Sequence, residues 1–173
     1  ALTYFDPLDQ SLNKLTKVDG LADANISALS FDATSNVLAI GYNNGNLDII
    51  NAEGVENIRT LLDASVTENK RINQISFYKG KLYLATDFGV IVLHPDTKKI
   101  TESFLNLGAQ GEILPIKESF IDKDIIYLAT GTGVLSGDLA SGENLQDFNN
   151  WERYKGSLIE QQNILSLGIH NNK

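Results

Sequence analysis

Three stretches of this chain repeat one pattern, a short β-like apolar run that leads into a turn ending on glycine. They read Leu38-Ala39-Ile40-Gly41-Tyr42-Asn43-Asn44-Gly45, Leu82-Tyr83-Leu84-Ala85-Thr86-Asp87-Phe88-Gly89 and Ile126-Tyr127-Leu128-Ala129-Thr130-Gly131-Thr132-Gly133. The closing glycines Gly45, Gly89 and Gly133 stand 44 residues apart. A second phrase, Ile26-x-x-Leu29-Ser30-Phe31, returns as Ile72-x-x-Ile75-Ser76-Phe77 and again, two intervals later, as Ile164-x-x-Leu167-Gly168-Ile169. A period of about 40 to 50 residues built from short strands and turns is the mark of β-propeller blades.

The clearest unit sets the order of strands. Strand one is Ile72 to Tyr78 and strand two Leu82 to Thr86, joined by the Lys79-Gly80-Lys81 turn. Strand three, Val90 to His94, follows Gly89, and strand four, Lys99 to Phe104, follows the Pro95-Asp96-Thr97 turn. Gly and Pro-Asp supply the backbone angles that tight reversals need. The same order predicts strands at Ile26 to Phe31, Val37 to Tyr42, Asn46 to Asn51 and Val55 to Thr60. It then predicts Ile113 to Phe120, Ile125 to Thr130 and Val134 to Leu139, with a less defined fourth segment at Leu145 to Trp151. Leu2 to Asp6 and Ser11 to Leu15 read as strands three and four of an earlier blade, and Ile164 to Ile169 as the start of a later one.

The expected layout is therefore one all-β propeller domain over residues 1–173 with four-stranded antiparallel blades. Its parts are the end of a preceding blade at 1–16, blades at 26–60, 72–104 and 113–151, and the start of the next at 164–173. About three complete blades with partial ones at both ends fall short of the four to eight that close a ring. The chain is thus expected to be part of a larger propeller, and the absence of methionine fits an excised or processed piece. Along strand two, Leu38, Leu82 and Ile126 share a face with Ile40, Leu84 and Leu128. Ala39, Tyr83 and Tyr127 share the other with Gly41, Ala85 and Ala129. Two apolar faces mean a sheet sandwiched between neighbours, and the small residues at 41, 85 and 129 mark a crowded place where blades converge.

Composition excludes several classes of function. A formal charge of −8 and only isolated basic pairs, Lys70-Arg71 and Lys98-Lys99, argue against a nucleic-acid partner. No cysteine is present, which removes disulfides, thiol nucleophiles and thiolate metal sites. No run approaches the ~18 to 20 apolar residues that span a bilayer, and no basic-then-apolar leader opens the chain.

Individual motifs offer little chemistry. Gly131-Thr132-Gly133-Val134-Leu135-Ser136-Gly137 has the look of a dinucleotide loop, but such a loop must open a helix, and a strand is expected here. His94 and His170 are 76 residues apart with no companion ligands, so zinc is unsupported. The acid pairs Asp122/Asp124 and Asp6/Asp9 fall on turns, without the enclosure that separates catalytic pKa values. Calcium stays open, since oxygen ligands from several loops can converge. Asn25-Ile26-Ser27 is a formal glycosylation sequon, meaningful in a eukaryotic secretory setting. Trp151 and Tyr154, beside Phe148, form the densest aromatic cluster, either an interface anchor or blade packing. No catalytic, cofactor or metal residue is assigned.

Taken together, the phrases Lys17-Val18-Asp19-Gly20-Leu21-Ala22-Asp23-Ala24-Asn25-Ile26-Ser27-Ala28-Leu29, Ile40-Gly41-Tyr42-Asn43-Asn44-Gly45-Asn46-Leu47-Asp48 and Lys70-Arg71-Ile72-Asn73-Gln74-Ile75 resemble the N-terminal propeller of PorZ proteins. Tyr83-Leu84-Ala85-Thr86-Asp87-Phe88-Gly89-Val90-Ile91-Val92-Leu93 and Asn144-Leu145-Gln146-Asp147-Phe148-Asn149-Asn150-Trp151 extend the likeness over nearly the whole chain. The resemblance implies a non-enzymatic envelope component of the type IX secretion system of Bacteroidetes, exported to the outer-membrane surface or periplasm. There it would scaffold an attachment complex whose sortase, PorU, anchors cargo to anionic lipopolysaccharide, and would itself engage that lipopolysaccharide. It implies no site residues in this stretch.

A second resemblance is to the periplasmic sensor propellers of hybrid two-component regulators, which share a Gly-Leu-x-x-x-x-Ile phrase before strand one. Their second strands typically read Trp-Ile-Gly-Thr, where this chain has Leu-Tyr-Leu-Ala-Thr. A propeller enzyme acting on glycans is a third class, and it would need acids converging at the axis.

Overall fold

The computed structural model describes residues 1–155 and 158–168. An antiparallel hairpin of β1 (Leu2–Asp6) and β2 (Ser11–Leu15) comes first. Three sheets follow, each an up-and-down meander whose strands neighbour in chain order. The first holds β3 (Ile26–Asp32), β4 (Val37–Tyr42), β5 (Leu47–Asn51) and β6 (Gly54–Ile58). A helical turn, α1 (Thr60–Asp63), leads to β7 (Ile72–Tyr78), β8 (Lys81–Thr86), β9 (Gly89–His94) and β10 (Lys99–Leu105). The third holds β11 (Ile116–Asp122), β12 (Ile125–Thr130), β13 (Gly133–Asp138) and β14 (Glu152–Arg153). This is an open, propeller-like fan of antiparallel blades.

Two apolar seams hold the fan together. Ala39, Leu47, Ile49 and Ile58 of the first sheet meet Ile72, Ile75, Leu84, Ile91 and Leu93 of the second. Tyr83, Val90, Val92 and Phe104 of the second sheet meet Ile116, Ile126, Leu128, Leu135 and Trp151 of the third. Each blade thus gives one face to each neighbour, as the doubly apolar second strands require. The first strands β3, β7 and β11 lie side by side and form the inner edge of the fan. Crowding there is real: a Cβ on Gly41 would sit 2.7 Å from Cγ2 of Ile72, and Ala85 and Ala129 are wholly buried.

Four expected segments differ by more than one residue at an end. The first strand of the third blade starts at Ile116, not Ile113, because Pro115 has no N–H to give a ladder and restricts Leu114 before it. The fourth strand of that blade is not Leu145–Trp151 but the short β14 that follows. Asp147 accepts a 2.9 Å bond from Asn149 N, which starts a 3-10 turn at Phe148–Asn150 in place of an extended segment. β6 ends at Ile58, before Thr60, and α1 takes over with Arg59 paired to Asp63 at 2.8 Å. Residues 164–168 form no ladder; Ile164 N donates to Thr130 O at 2.9 Å and Leu167 N to Glu118 Oε2 at 2.8 Å. Ile169 lies outside the described residues.

Candidate interaction face

Every first strand breaks its ladder at its second residue. The register shifts fall between Ile26 and Ala28, between Ile72 and Gln74, and between Ile116 and Glu118. A bulge re-aims the extra side chain, and in two blades that side chain reaches the next blade. Ser27 Oγ donates to the Ile72 carbonyl at 2.7 Å, and Asn73 Nδ2 to the Ile116 carbonyl at 2.8 Å. Asn73 is held from behind by Asp87 Oδ1 at 2.8 Å. The bulges are invisible in apolar patterning, but the polar residue after each Ile was the available signal.

The meander sends the first and third hairpin turns of each blade to one face of the fan, and the middle turn, with the connection to the next blade, to the other. Gly89 and Gly133 each open a third strand with φ of +136° and +117°, paired to Thr86 and Thr130. Those threonines fix the turns, their hydroxyls donating to Gly89 O at 2.9 Å and Gly133 O at 2.7 Å. A Cβ at Gly89 would stand 2.3 Å from the Phe104 carbonyl. Gly45 differs from the reading of one shared position. Gly41 pairs with Leu47 where Ala85 pairs with Val90, so the first turn is one residue longer and Gly45 (φ +84°) sits inside it.

The hairpin face carries a cleft at each seam. Between the first and second blades a space of about 530 Å³ is lined by Asp32, Val37, Ile49, Glu56, Phe77 and Pro95, among others. Between the second and third, a space of about 290 Å³ is lined by Tyr78, Lys81, Tyr83, Glu102, Phe104 and Leu139, among others. Each has a strand-four glutamate bound to a lysine: Lys98 Nζ lies 2.5 Å from Glu56 Oε1, and Lys81 Nζ 2.8 Å from Glu102 Oε1. Burial, with Glu102 nearby, pushes the Tyr83 phenol up to about 12. Across the same seam, the Tyr78 hydroxyl donates to Asp124 Oδ1, to which Lys79 Nζ also donates at 2.8 Å.

The other residues singled out in the sequence are mostly absorbed by the fold. Trp151 is 4% exposed, stands edge-on to Phe104 with ring centroids 5.7 Å apart, and donates its Nε1–H to Leu145 O at 2.9 Å. Its indole fills the seam. Tyr154 is half-buried, and Ser136 Oγ donates to its hydroxyl at 3.4 Å. Asp6 and Asp9 accept from the backbone N–H of Leu8 and Ser11, and the Ser11 bonds hold the Asp9 carboxyl below its usual range. Gly131 and Thr132 are a tight turn into β13, with no helix to meet a phosphate. His94 closes β9, and its buried Nδ1 has no hydrogen-bond partner among the described residues. His170 lies outside them. Among the described residues no three His, Cys, Asp or Glu side chains group as metal ligands, and no helix is long and apolar enough to cross a membrane.

Sequence reasoning missed a buried carboxylate. Asp48, wholly buried in β5, accepts from Tyr42 OH at 2.6 Å, Ala22 N at 2.8 Å and Asn57 Nδ2 at 2.8 Å. Burial, then the bond to Asp48, pushes the Tyr42 phenol far above its ordinary value. The network ties the connection after β2 to the first blade. Every lone pair used is structural.

Comparison with known proteins follows the same lines. No curated protein matches the sequence. Among solved structures, PorZ of Porphyromonas gingivalis, described as an essential bacterial surface component of the type IX secretion system, superposes with a TM-score of 0.65 at 24% identity. The match covers 82% of this chain and 18% of PorZ, so the chain spans less than a fifth of that protein. The extracellular domains of two proteins from B. thetaiotaomicron, described as hybrid two component systems, share the fold. One gives a TM-score of 0.57 at 14% identity over 82% of this chain and 20% of its own. The other gives 0.53 at 18% over 72% and 16%. The family model for the PorZ N-terminal β-propeller domain matches residues 1–152, and the chain belongs to that family of type IX secretion components.

Proposed function

We propose that this domain is a non-catalytic scaffold of an exported attachment complex in the bacterial envelope, and that it assists a sortase in anchoring secreted cargo to lipopolysaccharide. The family match over residues 1–152 carries the reading. The way the acids are spent supports it: Asp48, Asp87 and Asp124 each accept hydrogen bonds that hold one segment or blade to another. Wide loop faces on a rigid fan suit protein contacts. With a formal charge of −8, the domain meets anionic lipopolysaccharide through the complex it assembles rather than by its own hairpin face. Native extraction of the full-length protein tests this. Co-purification of a sortase-type partner is expected, whereas its clean absence, or a kinase downstream of a membrane span in the same gene, rejects the role.

A further inference from the structure

The cleft between the second and third blades holds a side chain that packing alone does not explain. Tyr83 is 4% exposed, yet its hydroxyl lines the cleft without a hydrogen-bond partner among the described residues. Its oxygen is not sealed in the core but opens onto the cleft, where a guest can bond to it. Tyr78 stands edge-on to it, with ring centroids 5.9 Å apart, and Phe104 and Leu139 complete an apolar wall. The charges around the rim are unbalanced. Lys79 is already bound to Asp124 and Lys81 to Glu102, both at 2.8 Å. Asp138 and Glu143, on the same rim, have no lysine or arginine partner among the described residues.

We propose that this cleft receives an arginine side chain of a partner protein. The proposal rests on the scaffold reading and names the chemistry of its contact. A guanidinium presents five donors in a plane, pairs with carboxylates two bonds at a time, and lies well against aromatic walls. Here it would meet Asp138 and Glu143 at the rim and give a hydrogen bond to the Tyr83 oxygen at the floor. The phenol keeps its proton to about 12, so at neutral pH it is an uncharged acceptor. A space of about 290 Å³ suits one side chain better than a multi-ring ligand. Asp138 Oδ1 already accepts from Ala140 N at 2.8 Å, but an anionic ligand would face two acids without a cationic partner, and a neutral sugar would leave them without one.

The test titrates the full chain with acetyl-arginine methylamide and its citrulline counterpart, an uncharged near-isostere, while amide NMR shifts are read. Arginine is expected to move the amides of Tyr83, Leu139 and residues 142–146 saturably, and citrulline to bind at least about tenfold more weakly. The exposed double variant Asp138→Asn/Glu143→Gln should weaken arginine about tenfold, and Tyr83→Phe by about fivefold. Equal response to citrulline, indifference to both variants, or saturation by a neutral monosaccharide instead would overturn the proposal. The outcomes separate it from the scaffold reading. A full-length protein that brings down its sortase but ignores arginine sinks only the cleft assignment; one that binds arginine yet extracts alone sinks only the scaffold.

Discussion

At one register of the third strand each blade turns a side chain toward the blade before it: Asp48 opposite Ile40, Ile91 opposite Leu84, Leu135 opposite Leu128. In two of these seams the residue at that register is aliphatic. In the remaining one a carboxylate sits where its counterparts are aliphatic, at the same complete burial. The difference lies in what surrounds the position. Tyr42 and Asn57 donate to Asp48, where the second blade has Thr86 and Ser103, and the Thr86 hydroxyl is already spent on Gly89 O at 2.9 Å. A propeller repeat dictates which way a residue points, and leaves the chemistry of each seam to its partners.

Exchanging the two chemistries gives the largest expected effects. Ile91→Asp buries a charge with no donors set for it and should cost about 3–5 kcal/mol. Asp48→Ala strands the Ala22 N–H and the Tyr42 hydroxyl, while Asn57 keeps its bonds to Asn46 Oδ1 and Leu47 O, for about 2–3 kcal/mol. Urea midpoints at constant slope measure both. A milder loss at Ile91 than at Asp48 would mean that the aliphatic position can hydrate, and the contrast would collapse.

That contrast also explains what was legible in the sequence. The blade order and most strands could be read because Leu-Ala-Ile-Gly, Leu-Tyr-Leu-Ala and Ile-Tyr-Leu-Ala bury both faces at a fixed interval. Asp48 could not, since a lone acid in an alternating strand reads as its solvent side. Pro115 is a strand breaker in plain sight, and Leu145, Phe148 and Trp151 stand three apart, the spacing of the 3-10 turn that the repeat interval alone would make a strand. The clefts escaped for another reason. Tyr83 and Glu102 lie 19 positions apart, and the third-blade loop that faces them lies further still. Only the stacking of blades brings them to one rim.

The next register sharpens the comparison between seams, for Ala39 of the first blade stands where the second has Tyr83, opposite Ile49 and Val92 respectively. A tyrosine whose folded pKa is raised to about 12 keeps its proton while the unfolded chain loses it near 10. The unfolded state therefore binds fewer protons in that window, and stability falls as pH rises. The slope should approach ~1.4 kcal/mol per pH unit from Tyr83 alone. Tyr42 adds to it in the same direction. Tyr83→Phe should flatten the alkaline limb between about pH 10 and 12 while leaving stability at pH 7 within about 1 kcal/mol. An unchanged limb would mean that the phenol already ionises in the folded protein.

The smallest effect concerns the clasps at the bulges, where the seams are alike in design and differ in reach. Ser27 spends one hydroxyl on Ile72 O, whereas Asn73 spans from Asp87 to Ile116 O with a longer, charge-assisted arm. Asn73→Ala should cost about 1–2 kcal/mol and Ser27→Ala about 1 kcal/mol, the order following the charged partner. Hydrogen exchange gives the sharper readout, since a loosened clasp lets the inner edge of one seam open before the whole fan does. Faster exchange confined to the amides near Ile116 in the first variant, and near Ile72 in the second, is expected. Exchange that rises uniformly in both would make the bulges mere irregularities of pairing, with the apolar seams alone setting blade order.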